Sequence, residues 1–230
     1  MADAPGGSWI ARRLEGALQS GLTRAYESVR VEPEPYLMHL RSAYGLPVAS
    51  YEGLYSLPVE QLDAIARDTI RGAMKMAGAE GAGMGAGGLF TLVPDLGILS
   101  AITMRMVQKL SLIYGFQYNT EDEIAELWIA AATAAGVDIG KELLERTVVR
   151  TFVERVIGRI ATRFSAEFAE KAVAKAIPLV SSLVGAALNY YFVRAWGRRA
   201  LLHFRQRHLQ ERLRRDLAAP AVLPTSSLPS

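Results

Sequence analysis

Apolar residues recur at three- and four-residue intervals along most of the chain, and helix-starting or helix-stopping residues bound each run. Leu14, Leu18, Gly21, Leu22, Ala25 and Val29 predict a first helix that ends before Pro33 and Pro35. Residues 33–58 are broken by Pro33, Pro35, Gly45, Pro47, Gly53 and Pro58. They also hold Tyr36, Tyr44, Tyr51 and Tyr55, which suits a tyrosine-rich cover over the core, with an interfacial membrane contact as the alternative. A helix starting near Pro58 carries Leu62, Ile65, Ala66, Thr69, Ile70, Ala73 and Met74 on one stripe.

A further helix is predicted over 94–114, with Asp95 in its positively polarised first turn and Gly115 closing it. Its apolar face is Ile98, Leu99, Ile102, Met106, Leu110 and Ile113, opposite Arg105, Gln108 and Lys109. Thr120 and Glu123 form a capping-box pair ahead of Leu127, Trp128 and Ala131, and Gly136 ends that helix. From Asp138 the residues Leu144, Val148, Phe152, Val156, Ile160, Phe164 and Phe168 repeat every four, with Gly158 or Ser165 as a bend or break. Pro178 opens the last major helix, whose first half is apolar and whose second half is rich in arginine. No stretch alternates in the manner of a strand. The expectation is an all-α fold: one compact multi-helix domain over 8–216 with two Gly/Ala-rich apolar segments, a flexible N-terminus at 1–7 and a disordered Pro/Ser tail at 217–230.

Composition changes this picture little, but charge changes it more. Half of the 230 residues are hydrophobic and 21% are charged, enough for a sizeable core. The absence of cysteine excludes disulfides and thiol nucleophiles. No apolar core precedes Arg12-Arg13, which argues against a secretory signal. The formal net charge is +3, yet residues 194–215 hold eight arginines against one acid, Glu211. The basic character is therefore local to the C-terminal end and points to one polyanionic contact surface.

Six glycines fall within eleven residues, from Gly78 to Gly88. Gly83-x-Gly85-x-x-Gly88 matches the dinucleotide fingerprint literally, but a helical pattern rather than a strand precedes it, and no acid stands about 20 residues on to hold a ribose. No nucleotide cofactor is expected. Gly81, Gly83, Gly85, Gly87 and Gly88 instead suggest close helix packing or a hinge, with loop and helix both open. Residues 176–193 are uncharged, at the bottom of the length range for a membrane span, but contain Pro178, Ser181, Ser182 and Asn189. Asp95 interrupts the other apolar block, 81–104. Buried helices are the expectation for both, with shallow membrane insertion as the alternative.

In the arginine-rich half, Arg194, Trp196, Arg198, Arg199, Phe204 and Arg205 combine cations with apolar rings, the mixed chemistry that lies on an anionic membrane interface. Phosphate contacts with nucleic acid would use the same charges, but no nucleic-acid-binding module accompanies them, and nucleic acid is not the expected partner. His203 and His208 stand five apart, on different sides of a helix, and no His-Glu-x-x-His or Gly-x-Ser-x-Gly occurs, so no metal site and no catalytic set is predicted. The alternative to a non-enzymatic protein is an enzyme with a central cavity near Asp95 and Asn189.

The order of these features resembles the EcsC family. The resemblance rests on the Gly-rich run followed by Pro94-Asp95-Leu96, and on Tyr114-Gly115-Phe116. It continues with Ile177-Pro178, Gly185-Ala186-Ala187, Asn189 and the basic end with Ala195, Ala200 and Arg205. The run Val180-Ser181-Ser182 departs from the glycine-richer sequence that the family pattern implies after Pro178. That family is named for a protein encoded beside a bacterial ABC transporter. The resemblance implies a bacterial protein on the cytoplasmic side of the cell membrane. Its implied partners are anionic lipid or a membrane protein such as an ABC transporter, and it brings no catalytic residues or cofactor.

Overall fold

The computed structural model describes residues 5–83, 92–138, 149–175 and 182–218, with side chains described over 12–13, 15–79, 97–138, 149–166 and 189–218. These residues form helices α1 (Pro5–Ser28), α2 (Pro33–Tyr44), α3 (Val59–Gly83), α4 (Leu92–Ile113), α5 (Glu121–Ala134), α6 (Val149–Lys175) and α7 (Ser182–Ala218), with a 3-10 turn at Glu52–Ser56. No strand occurs among them. The fold is all-α.

α2 is a departure from the sequence reading. Pro33 and Pro35 do not break this segment, because proline is tolerated in a first turn whose N–H groups have no partner within the helix. Gly45, at φ 64°, closes the helix in the left-handed conformation. The cover reading of the tyrosines holds for Tyr36, Tyr51 and Tyr55, all buried. Tyr51 donates its hydroxyl to the Pro33 carbonyl at 2.6 Å, tying the cover to the start of α2.

α3 pairs with α7 more extensively than any other two elements, α1 packs on α4 and α6, and α5 bridges α6 and α7. α4 runs through the middle, in contact with α1, α2, α3, α5 and α7. Its second half is buried on nearly every side: Met104, Met106, Val107, Leu110, Leu112 and Ile113, with Tyr114 just beyond, are sealed from solvent, and Thr103, Gln108 and Ser111 are buried with them. Two assignments on it change. Ile98, expected on the inner face, is exposed, and Gln108, expected on the outer one, is buried. The Gln108 amide accepts from the Val31 N–H at 2.9 Å and donates to the Val29 carbonyl at 2.8 Å, satisfying the backbone where the chain turns from α1 into α2.

The capping box at Thr120 and Glu123 is formed as expected. Gly115 (φ 89°) and Gly136 (φ 75°) close α4 and α5. α6 continues through Gly158 and Ser165, so neither breaks it. α3 extends through Gly83, which makes Gly81 and Gly83 helical; Gly85, Gly87 and Gly88 lie outside the described residues, as does the boundary at Pro178. Of the expected tail, Leu217 and Ala218 are helical and the residues from 219 lie outside the described ones. Among the described residues no helix is long and apolar enough to cross a membrane.

Candidate functional site

The two sides of α7 do different work. Toward the core, Trp196 is 4% exposed and Phe204 1% exposed. Both were expected at a membrane, and both are core residues instead. Trp196 packs on Phe192, and Phe204 faces Phe116. Arg205 also points partly inward: its Nε donates to Asp63 Oδ2 at 3.0 Å, while Asp63 Oδ1 accepts from the Tyr114 hydroxyl at 2.6 Å. This chain of contacts ties α3, α4 and α7 together. Arg199 caps α5, donating to the Ala134 carbonyl at 3.2 Å, where the helix leaves carbonyls without partners. Of the six residues expected at an anionic surface, Arg194, Arg198 and Arg199 remain exposed with no ion pair among the described residues, and of these Arg199 is the one held to a backbone carbonyl.

Below this network lies His208, fully buried, stacked on Tyr55 at 4.7 Å. Its Nδ1 stands 2.9 Å from the Tyr114 carbonyl, which can only accept, so Nδ1 carries the proton. The Nε2 atoms of His208 and His203 are buried without a hydrogen-bond partner among the described residues. Burial lowers the pKa of both. Arg212 and Arg215 lower that of His208 further against the opposing pull of the Tyr114 carbonyl, and Arg207 adds to the lowering at His203.

The unfolded chain therefore takes up these protons at a higher pH than the folded one. The stability is present in full above about 6.5 and is lost progressively as pH falls from there toward the folded values. A His203→Gln/His208→Gln variant should melt with a shallower loss of Tm between about pH 7 and 5 than the unaltered protein, at a slope difference of up to about 1.4 kcal/mol per pH unit for each histidine. Parallel Tm–pH curves would show that neither ring titrates differently on folding.

A groove of about 300 Å³ opens between the 3-10 turn, the end of α4, the start of α5 and α7. Glu52, Asp122, Glu123, Glu126 and Glu211 line it together with Arg207 and Arg215, so its walls are net acidic. Both arginines are engaged. Arg207 meets Glu126 at 3.0 Å and lies over the Phe116 ring at 4.7 Å. Arg215 meets Glu211 at 2.8 Å and lies over Tyr55 at 4.1 Å. The Glu211 carboxyl, gripped by Arg214 and Arg215, is held down at about 2, and burial raises the Tyr55 phenol to about 12. Ser111, also in the lining, gives its hydroxyl to the Phe116 carbonyl at 2.7 Å. The groove holds no nucleophile paired with a base, and among the described residues no group of His, Asp and Glu suits a metal ion. Asn189 is buried, and the Asp95 side chain lies outside the described residues, so the structure does not bring that pair together or separate it.

A model of the EcsC protein family matches residues 17–209. The chain belongs to the EcsC family. One relative is Protein EcsC of Bacillus subtilis (strain 168), 35% identical over 89 residues, which are 39% of this chain and 38% of that protein. The chain thus aligns with well under half of that relative's length. No solved structure matches. The EcsC-family range begins inside α1 and ends at Leu209, so it includes the Asp63–Tyr114–Arg205 network and His208, and stops short of Leu213 and Leu217.

Sequence reasoning missed most of the outward apolar residues of α7. It singled out Trp196, Leu201, Phe204 and Leu209 because they interleave with the arginines; of these Leu209 is exposed, together with Tyr190, Tyr191, Leu202, Leu213 and Leu217. Their alignment along the helix was legible in the sequence, since Leu202, Leu209, Leu213 and Leu217 are spaced seven, four and four residues apart.

Proposed function

We propose that this EcsC-family protein acts without catalysis, by attaching reversibly to an anionic membrane surface through the outward side of α7. The observation that carries this reading is the exposed pair Arg194 and Arg198, without ion pairs among the described residues, in a segment of eight arginines against one acid. Each basic residue near an anionic leaflet contributes about 1 kcal/mol, so a few of them hold a protein there weakly and reversibly. Arg205 and Arg199, engaged with Asp63 and the end of α5, contribute to the local field more than to direct contact.

The test is flotation with vesicles of phosphatidylcholine alone or mixed with phosphatidylserine. At low salt the unaltered protein should float with the anionic vesicles and not with phosphatidylcholine alone, and Arg194→Glu/Arg198→Glu should weaken this about tenfold or more while the protein keeps its melting temperature. Equal binding by the folded double variant would leave the two arginines as a solvated face.

A further inference from the structure

We infer that Tyr191, Leu202, Leu209, Leu213 and Leu217 form an apolar strip along α7 that enters the acyl boundary of an anionic bilayer, with the helix lying in the membrane plane. This rests on the membrane reading above and adds a second, unscreened component to it. The strip comes from helix geometry. At 3.6 residues per turn, Leu202, Leu209, Leu213 and Leu217 fall within a sector of about 80°. Tyr191, eleven residues before Leu202, lies three turns earlier in the same line. From Tyr191 to Leu217 the strip is about 39 Å long at 1.5 Å per residue.

The exposures are those of an uncovered surface: 61% for Tyr191, 62% for Leu202, 37% for Leu209, 60% for Leu213 and 79% for Leu217. Single exposed leucines are ordinary, but five large apolar side chains in one line are not. Arg194, Arg198, Arg205 and Arg212 fall along one edge of the strip, with Asp216 as the acid among them; Gln210 falls along the other edge, and Arg199 and Gln206 fall within the sector between the apolar residues.

Charge decides what covers the strip. In the heptad register that puts Leu202, Leu209 and Leu213 on one seam, a second copy of α7 would need apolar residues at 199, 206 and 216 as well. Those positions are Arg199, Gln206 and Asp216. Two such helices would bury charged and amide groups beside their leucines. An anionic interface reverses this conflict: the leucines sink about 5–10 Å, to the level of the acyl boundary, while Arg194 and Arg198 on the flank meet phosphates and Arg205 and Arg212 stay with Asp63 and the Leu57 carbonyl. Trp196 and Phe204 contribute nothing to the insertion, because they hold the other side of the helix to the core.

The experiment compares the unaltered protein, Arg194→Glu/Arg198→Glu and Leu202→Gln/Leu213→Gln/Leu217→Gln on phosphatidylcholine–phosphatidylserine vesicles, after thermal melts confirm that all three are folded. The leucine variant should bind about tenfold more weakly or worse, and should lose the fraction that stays bound in high salt, because apolar contact is not screened. The chain has no cysteine, so Leu213→Cys can carry an environment-sensitive dye, with Ser42→Cys on α2 as a control. The dye at position 213 should shift to the blue on vesicles and that at 42 should not. If the leucine variant binds as tightly and as salt-sensitively as the unaltered protein, the strip is overturned while the electrostatic reading survives. If the unaltered protein ignores anionic vesicles, both fall. A dimer in solution that the leucine variant dissociates would overturn the lipid occupant in favour of a second copy.

Discussion

Gly197→Leu is expected to lower the melting temperature by about 10 °C or to prevent cooperative folding altogether. Gly197 sits where α7 crosses α3 and α4. A Cβ placed there would lie 2.8 and 2.9 Å from the Ile70 methyl and methylene carbons and 3.1 Å from the Met106 sulfur. Met106 is flexible enough to yield, but Ile70 is β-branched and buried, with its rotamer fixed by its own helix. Overpacking a tight core typically costs about 1–3 kcal/mol, and leucine adds three carbons beyond the atom that already collides. In a domain of this size each kcal/mol moves Tm by about 2–4 °C. Gly197→Ala should be milder, because alanine regains about 1 kcal/mol of helix propensity. Gly158 on α6 has nothing within 4 Å of its added Cβ, so Gly158→Ala should be neutral or stabilising. A Gly197→Leu protein melting within about 2 °C of the unaltered one would mean that α3 and α7 have room to separate.

Asp63→Ala should cost about 2–4 kcal/mol, read from denaturant unfolding. The carboxylate is the single acceptor recorded for the Tyr114 hydroxyl, and Tyr114 has no exposed surface through which water could replace it. It also neutralises Arg205. The Arg205 side chain is 36% exposed, however, so much of that interaction is screened and the guanidinium can turn to water. Most of the cost therefore falls on the orphaned phenol. In a Tyr114→Phe background the orphan is gone, and Asp63→Ala should cost at least about 1 kcal/mol less. Additive losses in the two single variants would show that the hydroxyl and the carboxylate are not energetically coupled.

The parts of this fold that were legible in the sequence are those where one residue has one job. Thr120 with Glu123 can hardly do anything but cap, and Gly115 and Gly136 supply positive φ that other residues resist. α2 was hidden because the same two prolines that stop a helix also start one, and only the turn before Pro33, held by Gln108 and Tyr51, decides between them. Burial along α7 was not legible for a different reason. Arginine lays a long apolar stem against its neighbours and puts charge at the tip, so Arg207, stacked on Phe116, and Arg198, facing solvent, look alike in a sequence. With arginines on every side of the helix, the interleaving of Trp196 and Phe204 with them did not point outward, and large aromatic residues belong to cores as readily as to interfaces.

The central position of α4 has a kinetic consequence. The partners that enclose it are distant in sequence: Asp63 meets Arg205 across 142 residues, and His208 returns to the Tyr114 carbonyl across 94. The long chain closures that bring α7 back to α3 slow folding relative to a bundle of sequential neighbours. During synthesis, α3 and α4 leave the ribosome long before the helix that covers them, and the apolar faces of Ile70, Ala73 and Met106 stay open until α7 has been translated. The nascent chain therefore spends most of its elongation without its native enclosure. A ribosome stalled before residue 182 would display a sticky, protease-sensitive intermediate, and release of α7 would be the step that commits the polypeptide to its final packing.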